Sequence, residues 1–517
     1  MNTVKTPWRQ SMPDFLQLLD GALGHKVKLH KEVLGYDVYL VDLSDWKLRF
    51  SDRTPLILVK EADLASMNAR ELAQSLSDMV RAQSLAERNP IVVVEGPGDE
   101  LKEQLRATYQ PLLVLDQADV TTVRESRRPS GEFLDRLAPQ LDLSLLTPYE
   151  TSKPVTGSRF FGREFEVRRI LQTADSNFAI MGIRRIGKTS LMREIERQLK
   201  EQAQEAESDE SAYGGEAARI LFMDCSAISS PNNFIQEVVR KLRPQELSRL
   251  SSKQFPIFFP DFLERMAQRY GGPIIFFLDE FDKVLTWHYE DDSLLNALRA
   301  SSNQGHSRYI VGGFREVMRA FSDLESPLYN FARPVRLKEF SREQAAALIL
   351  GPLEKLGVHF ERRNDVVNRI FDETAGQPNL VQFYCSILVE RLDREGSRSV
   401  SPESLFDVYG NDDFRAFVLS TFMDNTTHLE KAIVFAVMAD LGAEHPFGVQ
   451  QIDAALERRG VEIPLSDLDL ACRNLELAGT FTSRGPLFRF ATPVFPRMLS
   501  ENYDVDYLFR KVLQEGI

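Results

Sequence analysis

The feature that most constrains the fold is an octapeptide matching the pattern GxxxxGK[ST], which runs from Gly182 through Gly187 and Lys188 to Thr189. A short apolar run over residues 178–181 precedes it, and a helical pattern over residues 190–200 comes after it. Glycines let the backbone curl so that successive N–H groups face phosphate oxygens, and the N-terminus of the next helix adds positive potential. The context therefore predicts a phosphate-binding loop between a buried strand and a helix.

The side chains of the loop predict how a nucleotide would be held. Lys188 is expected to neutralise charge on the outer phosphates, and the Thr189 hydroxyl is expected to bind Mg²⁺. Arg184 and Arg185 have three alternatives, which are phosphate contact, contact with a partner subunit, or simple solvation. The backbone contacts to the nucleotide are predicted to come from the whole loop and the residue after it, which are Gly182, Ile183, Arg184, Arg185, Ile186, Gly187, Lys188, Thr189 and Ser190.

A second run ends in two acids. Residues 274–278 are all apolar, and Asp279 and Glu280 come next. A strand of this kind brings Asp279 to the carboxyl edge of a parallel sheet, where the phosphate-binding loop also lies. We expect Asp279 to hold Mg²⁺ and Glu280 to act as a general base on the attacking water. Asp282, in the same turn, is expected to be structural.

A third strand, predicted over residues 308–312, is followed by Gly313, Phe314 and Arg315. An arginine at this position can reach the terminal phosphate of a nucleotide and report its presence. Arg315 is therefore a catalytic candidate, and a surface arginine is the equally simple alternative.

Apolar runs alternate with helical patterns from residue 160 to residue 340, which predicts an α/β fold with a parallel sheet covered on both faces. After residue 341 the predicted elements are helices, and residues 428–441, 449–459 and 466–478 predict three helices followed by a β-wing. We predict six segments, which are an N-terminal α/β domain (1–146), a linker (147–159), a P-loop core (160–340), a helical lid (341–410), a winged helix (411–500) and a C-terminal tail (501–517).

The N-terminal domain carries four short apolar runs and two helical patterns. The runs cover residues 38–41, 55–59, 91–94 and 112–115, and the helical patterns cover residues 63–88 and 99–108. Their alternation indicates a small α/β sandwich. We find no ordered set of catalytic residues there, so the role of this domain is left open.

The order of the motifs resembles the STAND branch of AAA+-related ATPases and, more distantly, origin-recognition ATPases. The residues that carry the resemblance are FFGRE (160–164), GIRRIGKTSL (182–191), FFLDEFD (276–282), GFR (313–315) and GQPNL (376–380). The resemblance implies ATP or ADP with Mg²⁺ as ligands. It also implies that Phe161, Gly162 and Arg163 line the adenine side and that Pro378 touches the nucleotide from the lid.

One departure from the ring-forming relatives affects assembly. No clear arginine finger lies near the last predicted strand, where Arg333 and Arg336 are only candidates. Assembly into a conventional hexameric motor is therefore not expected.

Charge and composition limit the partners. Acidic residues outnumber basic ones 76 to 63, giving a net charge of -13, which disfavours a general affinity for nucleic acid. The third helix of the predicted winged helix carries Asp467, Asp469 and Glu476 against Arg473, the wrong sign for approaching phosphates. No apolar run approaches the length of a membrane helix, and we expect a cytoplasmic protein.

The preferred hypothesis is a regulatory switch ATPase whose lid and winged helix move with nucleotide state and control a protein partner or self-association. A different class of function remains open, which is a DNA-binding ATPase such as a loader or transcriptional regulator. Salt-dependent binding to duplex DNA distinguishes the two.

Overall fold

The structure is a computed structural model. It describes residues 8–33, 35–50, 53–60, 66–82, 89–107, 112–173, 175–206, 219–249, 255–287, 292–405, 410–492 and 494–516.

The N-terminal domain is built on a five-stranded mixed sheet. Its strands are β1 (Val27–Val33), β2 (Tyr36–Val41), β3 (Thr54–Val59), β4 (Ile91–Val94) and β5 (Leu113–Leu115), and its helices are α1 (Trp8–Ala22), α2 (Ala69–Ala82), α3 (Asp99–Ala107), α4 (Gln117–Glu125), α5 (Pro129–Leu137) and α6 (Leu143–Leu146). The strands lie in sequence order, antiparallel from β1 to β3 and parallel from β3 to β5. The four predicted strands are β2 to β5. Residues 63–65, 83–88 and 108 of the two predicted helices lie outside the described part of the chain.

The central domain, residues 160–340, contains a five-stranded parallel sheet, which confirms the predicted α/β class. Its strands are β6 (Phe178–Met181), β7 (Ile220–Asp224), β8 (Ile274–Asp279), β9 (Ser307–Gly313) and β10 (Arg333–Arg336), and its helices are α7 (Glu164–Leu171), α8 (Lys188–Ala206), α9 (Pro231–Leu242), α10 (Phe255–Arg269), α11 (Asp282–Leu285), α12 (Ser293–Asn303) and α13 (Arg315–Ser322). The strand order is β10-β6-β9-β8-β7. Strands β6, β8 and β9 are buried along their whole length because helices cover both faces.

The lid comes directly after the last strand of the central sheet. It contains α14 (Arg342–Lys355), α15 (Arg363–Thr374), α16 (Pro378–Glu395) and a short parallel pair, β11 (His359–Phe360) and β12 (Ser399–Val400). Ser341 begins α14 through a capping box with Gln344, and Pro378 begins α16 at a position where a missing N–H costs nothing.

The C-terminal domain contains helices and a small antiparallel sheet. The elements are α17 (Asp412–Asn425), α18 (His428–Asp440), β13 (Phe447–Gly448), α19 (Val449–Glu457), α20 (Leu465–Leu477), β14 (Phe481–Arg484), β15 (Leu487–Phe490), α21 (Val494–Asn502) and α22 (Val505–Glu515). Helices α18 to α20 and the β14–β15 hairpin are the elements from which we predicted a winged helix, and that assignment remains a prediction. The predicted tail is instead helical, since α22 buries Phe509 and Val512 against the domain.

The segment 147–159, which we predicted to be a linker, is packed against its neighbours rather than loose. Thr147, Tyr149 and Val155 are buried. The Tyr149 hydroxyl donates to main-chain oxygens of lid helix α14, and the Val155 N–H donates to the Ser190 hydroxyl in α8 over 3.1 Å. A composition rich in Pro, Gly, Ser and Thr predicted a linker, but the apolar residues within the segment determine its packing.

The buried apolar residues of the described chain form four clusters, one of which fills a separate face of the N-terminal sheet. One continuous apolar cluster runs through the N-terminal domain, the lid and the C-terminal domain, and includes Phe133, Leu348 and Phe435. Two separate clusters fill the two faces of the central sheet. We call the three domains that share one cluster the outer body. Ala478 is an exception within the C-terminal domain, because it packs with a cluster of the central domain.

No helix within the described residues combines the length and apolarity that crossing a membrane requires.

Candidate functional site

The glycine-rich loop leaves the carboxyl end of β6 and enters α8. Lys188 is 7% exposed, and its Nζ donates to the main-chain oxygens of Gly182 (2.8 Å) and Ile183 (3.0 Å). Burial lowers the pKa of Lys188, while the nearby carboxylates of the site act in the opposite direction. Gly187 has φ +102°, which a side chain would strain, so the curl of the loop requires glycine there. The loop thus concentrates a buried cation at the end of the sheet.

Thr189 and Asp279 meet at the base of the loop. The Thr189 hydroxyl donates to Oδ2 of Asp279 over 2.6 Å, and Asp279 is buried. A Cβ at Gly312 on β9 would come within 3.0 Å of Oδ1 of Asp279, so glycine leaves space for this carboxylate. Hydroxyl and carboxylate oxygens are hard donors, and a pair this close fits Mg²⁺, which binds few protein ligands and keeps several waters. The two residues could therefore hold Mg²⁺.

Glu280 adjoins this pair in a strained backbone conformation. Its φ is +51°, in the left-handed region, and strain of this kind is concentrated at functional sites. Burial raises the pKa of the Glu280 carboxyl, an effect that the ammonium of Lys188 partly offsets. A carboxylate with a raised pKa beside the metal pair has the chemistry of a general base.

Asp282 bonds to the main chain at the start of α13. Its carboxylate accepts the N–H groups of Phe314 (2.7 Å), Glu316 (3.0 Å) and Val317 (3.2 Å). These bonds satisfy the free N–H groups at the start of α13, so Asp282 holds that helix beside β8.

A cavity of about 380 Å³ lies between the loop, the lid and the segment that precedes the central domain. The phosphate-binding residues 184–190 and Glu280 line one part of it, and Pro378, Phe161 and Arg163 line the wall predicted for adenine. Gly162 is not among the lining residues; it has φ +74°, and a Cβ there would lie 2.9 Å from the Phe340 ring. Its role is close packing rather than ligand contact.

The Arg163 side chain contacts other residues of the protein. Its guanidinium donates to the main-chain oxygen of Lys338, pairs with Glu166 at 3.6 Å and lies 5.1 Å from the centre of the Phe340 ring. It joins the entry of the central domain to the start of the lid, and its contact with adenine stays a prediction.

The two loop arginines are bound by the end of α17. The Arg184 N–H donates to Oδ1 of Asn425 over 2.7 Å, and the Arg185 guanidinium donates to the hydroxyls of Ser420 and Thr421. The Asp424 carboxylate lies 3.5 Å from Arg184 and 3.6 Å from Arg185. Both arginines contact another domain of the same chain, and the Arg184 side chain is also 62% exposed; contact with phosphate or with a partner subunit stays a prediction.

Arg315 also faces the C-terminal domain. Its guanidinium donates to Glu430 over 2.7 Å and to the main-chain oxygen of Asn425 over 3.0 Å. Glu430 is 1% exposed, so Arg315 is the cation that compensates a buried carboxylate. The prediction that Arg315 reaches a terminal phosphate does not describe this state. We call the contacts of Arg184, Arg185 and Arg315 with residues 420–430 the polar clamp.

The finger candidates Arg333 and Arg336 project from edge strand β10 and are exposed. Neither lines the 380 Å³ cavity.

Sequence reasoning missed two parts of the site. Residues 150–155, which we call the strap, form one wall of the cavity, and Asn379 and Gln382 of α16 lie opposite the loop. The clamp acids Asp424 and Glu430 were also missed. A signal existed for Glu430, because Thr427 and Glu430 form a capping box that begins α18.

Comparisons with known proteins agree with this geometry. The family model described as an AAA domain matches residues 172–316. A Walker-type ATPase of Pyrococcus abyssi aligns with 68% of this chain and 100% of its own, at 17% identity and a TM-score of 0.50. The ORC2 protein of Aeropyrum pernix, solved with ADPNP and ADP, aligns with 71% of this chain and 96% of its own, at 13% identity and a TM-score of 0.50. No curated protein matches the sequence. Residues 172–316 thus match the AAA domain model, and the chain has the fold of the P-loop ATPases.

Proposed function

We propose that this chain, whose residues 172–316 match the AAA domain model, binds Mg·ATP and hydrolyses it as a regulatory switch. The observation that carries the ATP site is the 2.6 Å contact of Thr189 with Asp279, next to the buried ammonium of Lys188. Hard oxygen donors beside a desolvated cation at a helix N-terminus suit a magnesium triphosphate.

Each residue would do one part of the chemistry. Mg²⁺, when bound by Thr189 and Asp279, supplies positive charge to the phosphates. Lys188 would exchange its main-chain acceptors for phosphate oxygens, and Glu280 would take a proton from the attacking water. The rate should be low, because the C-terminal domain holds Arg184, Arg185 and Arg315 until the polar clamp opens.

The switch is supported by the contrast between two kinds of interface. The outer body is held together by one apolar cluster, so separating its domains would expose large apolar surface. The C-terminal domain, by contrast, holds Arg184, Arg185 and Arg315 mainly through the ion pairs and hydrogen bonds of the polar clamp. Charged partners can be exchanged for a charged ligand at little cost. We therefore expect the outer body to move as one unit against the central domain.

A large cleft lies along the same boundary. It has a volume of about 1450 Å³ and is lined by Gly182, Ile183 and Phe314 from the central domain and by Phe371 and Phe481 from the outer body. The outer body is closely packed inside, whereas this boundary contains unfilled space. The outer body can therefore move relative to the central domain without new clashes.

Nucleotide phosphates would compete with Asp424 for the loop arginines. In the clamped state the Asp424 carboxylate supplies the negative charge that Arg184 and Arg185 face. A nucleotide shifts the equilibrium between two conformations only if it binds one of them more tightly than the other. Changing their populations from about 1:99 to 99:1 needs a difference in binding free energy of about 5.5 kcal/mol. ATP and ADP differ in the charge they place near these arginines, which is the differential contact that the proposal requires.

Replacing Asp424 by Ala is expected to loosen the clamp and raise the apparent affinity for Mg·ATP. Partly exposed ion pairs contribute up to about 1 kcal/mol, so an increase of roughly three- to fivefold is expected. The matched control is Asp413→Ala, in the first turn of the same helix. Titration with a fluorescent ATP analogue measures the affinity of both variants. An Asp424→Ala affinity equal to that of the control would remove the clamp from the proposal.

The output of the switch would be a protein partner or self-association. Helix α20 and the β-hairpin expose Leu465, Leu470, Leu477 and Leu487, each more than two-fifths exposed. Asp469 and Arg473 on the same helix pair with each other over 2.8 Å. Exposed apolar side chains on a helix with three acidic residues and one basic residue favour a protein surface, rather than a phosphate backbone, as its partner.

The same surface yields a prediction against DNA binding. Because the exposed face of α20 lacks excess positive charge, duplex DNA should show no salt-dependent binding at about 50 mM salt with Mg·ATP present. Fluorescence anisotropy of a labelled duplex checks this, with a known duplex-binding protein as the positive control. An affinity that falls steeply with salt concentration would favour the DNA-binding alternative.

A further inference from the structure

We infer that Lys47 of the N-terminal domain positions Phe161, and with it the wall of the cavity that would hold the base of a nucleotide. Lys47 would act on the proposed ATP site, so this inference rests on the proposed function and gives the N-terminal domain a part in it. Lys47 does not itself line the 380 Å³ cavity, whereas Phe161 does. Lys47 is therefore a positioning residue that acts through Phe161.

The Lys47 ammonium makes two contacts at the entry of the central domain. Its Nζ donates to the main-chain oxygen of Phe160 over 3.1 Å and lies 5.5 Å from the centre of the Phe161 ring. The Phe160 side chain is buried, and the Phe161 side chain is half-buried. A hydrogen bond to the main chain and a cation–π contact with the next ring together favour one arrangement of this pair of residues.

The Lys47 backbone adopts a left-handed conformation, which is uncommon for a residue with a side chain. Its φ is +55°, and its N–H donates to the main-chain oxygen of Ser44 at the end of a short 3-10 helix, Ser44–Trp46. Glycine or asparagine adopts this conformation more readily, so the turn alone does not explain a lysine here. The contacts of the ammonium with Phe160 and Phe161 provide a reason for lysine.

The loop that contains this lysine, residues 44–50, is bound to the lid and to the segment before the central domain. The main-chain oxygen of Trp46 accepts a hydrogen bond from Nζ of Lys355 in lid helix α14 over 2.9 Å. The Arg49 guanidinium donates to the main-chain oxygen of Tyr149 over 2.8 Å. One loop of the N-terminal domain thus contacts the lid, the segment 147–159 and the entry of the central domain, so a shift of this loop would also shift Phe161.

The effect of Lys47 on a nucleotide should be confined to the base. In the proposed site the phosphates lie in the loop of residues 184–190, whereas Lys47 contacts residues 160 and 161. A base gains most from stacking on an aromatic ring that is already held in place. Loss of the ammonium should therefore weaken the binding of a ligand that has a base and leave a ligand without one unaffected. Because coupling between binding free energies is reciprocal, a bound base should in turn stabilise the loop of residues 44–50.

Lys47→Met tests this inference, because methionine is also unbranched and apolar along its length but has no ammonium. Lys47→Arg restores a cation that can donate to the Phe160 oxygen and contact the Phe161 ring. The matched control is Lys28→Met, at an exposed lysine of β1 in the same domain. Affinities for Mg·ATP and Mg·tripolyphosphate are measured by isothermal titration for the full chain of the wild type and the three variants.

We expect Lys47→Met to lower the affinity for Mg·ATP by about three- to tenfold, and Lys47→Arg and Lys28→Met to stay within about twofold of the wild type. Tripolyphosphate has no base, so its affinity should be the same in all four proteins. An unchanged ATP affinity in Lys47→Met, equal losses for ATP and tripolyphosphate, or no recovery in Lys47→Arg would overturn the inference and leave the ATP site standing. Failure of the wild type to bind either ligand would instead contradict the proposed function.

Amide hydrogen exchange measures the reciprocal effect on the N-terminal domain. Saturating Mg·ATP should slow exchange in residues 44–50 of the wild type more than saturating Mg·tripolyphosphate does, and this difference should be lost in Lys47→Met. Equal protection by the two ligands in the wild type, or a difference that persists in Lys47→Met, would overturn the inference.

Discussion

Replacing Lys188 by Ala should abolish detectable binding of Mg·ATP, lowering its affinity by a factor on the order of 100 or more because charge-assisted bonds to phosphate are lost. The Lys188 ammonium is buried and bonded to the main-chain oxygens of Gly182 and Ile183, so its charge is already desolvated. A desolvated cation that exchanges main-chain acceptors for phosphate oxygens gains much more than a solvated one. Isothermal titration with Mg·ATP measures the loss.

The control for this change is Lys200→Ala, which replaces the same residue type in the same helix. Lys200 lies near the exposed end of α8 and pairs with Glu196 over 2.7 Å. Its loss should leave the affinity within about twofold, as expected of a surface pair. If Lys188→Ala bound Mg·ATP as tightly as Lys200→Ala, the loop would not be a phosphate site.

Glu280→Gln should separate binding from hydrolysis. The amide keeps the shape of the side chain and cannot take a proton from water, so the hydrolysis rate should fall by a factor on the order of 100 to 1000. The affinity for Mg·ATP should stay within about threefold, since Thr189, Asp279 and Lys188 are unchanged. Single-turnover hydrolysis and titration on the same preparation provide the rate and the affinity. Full turnover in this variant would remove Glu280 from the mechanism.

The pH dependence of the rate provides an independent check on Glu280. Burial raises the pKa of its carboxyl, and a general base works only when deprotonated. The wild-type rate should therefore fall as pH is lowered through that raised pKa. Glu280→Gln has no titrating group at this position, so its rate should not show this fall at low pH. The control Glu237→Gln, at a half-buried residue of α9 that pairs with Arg240, should keep it.

The central sheet was predictable because local and long-range signals agree there. The run at β8 is apolar along its whole length, as a strand buried on both faces requires, and the glycine-rich loop fixes the connection from β6 to α8. Strand β1 was missed, since V-K-L-H-K-E-V has little apolar content and resembles a surface segment. Hydrogen bonding to β2 holds β1 as a strand, although the residues of β1 do not themselves indicate one.

The site was predictable on its phosphate side and much less so on its base side. Lys188, Thr189 and Asp279 are brought together by strands whose carboxyl ends share one edge of the sheet. The partners of Arg185 and Arg315 lie more than a hundred residues further along the chain. Gln382 and the strap residue Glu150 are 232 residues apart in sequence, and neither carries a local pattern. Contacts of this kind depend on domain packing, which periodicity and motif spacing do not encode.

The most direct test of the account is isothermal titration of the purified full chain with ATP in the presence and absence of Mg²⁺. We expect one saturable site per chain, with an affinity that is strongest with magnesium and is lost in Lys188→Ala. Absence of saturable binding up to millimolar ATP, or binding unaffected by both magnesium and the lysine substitution, would contradict it.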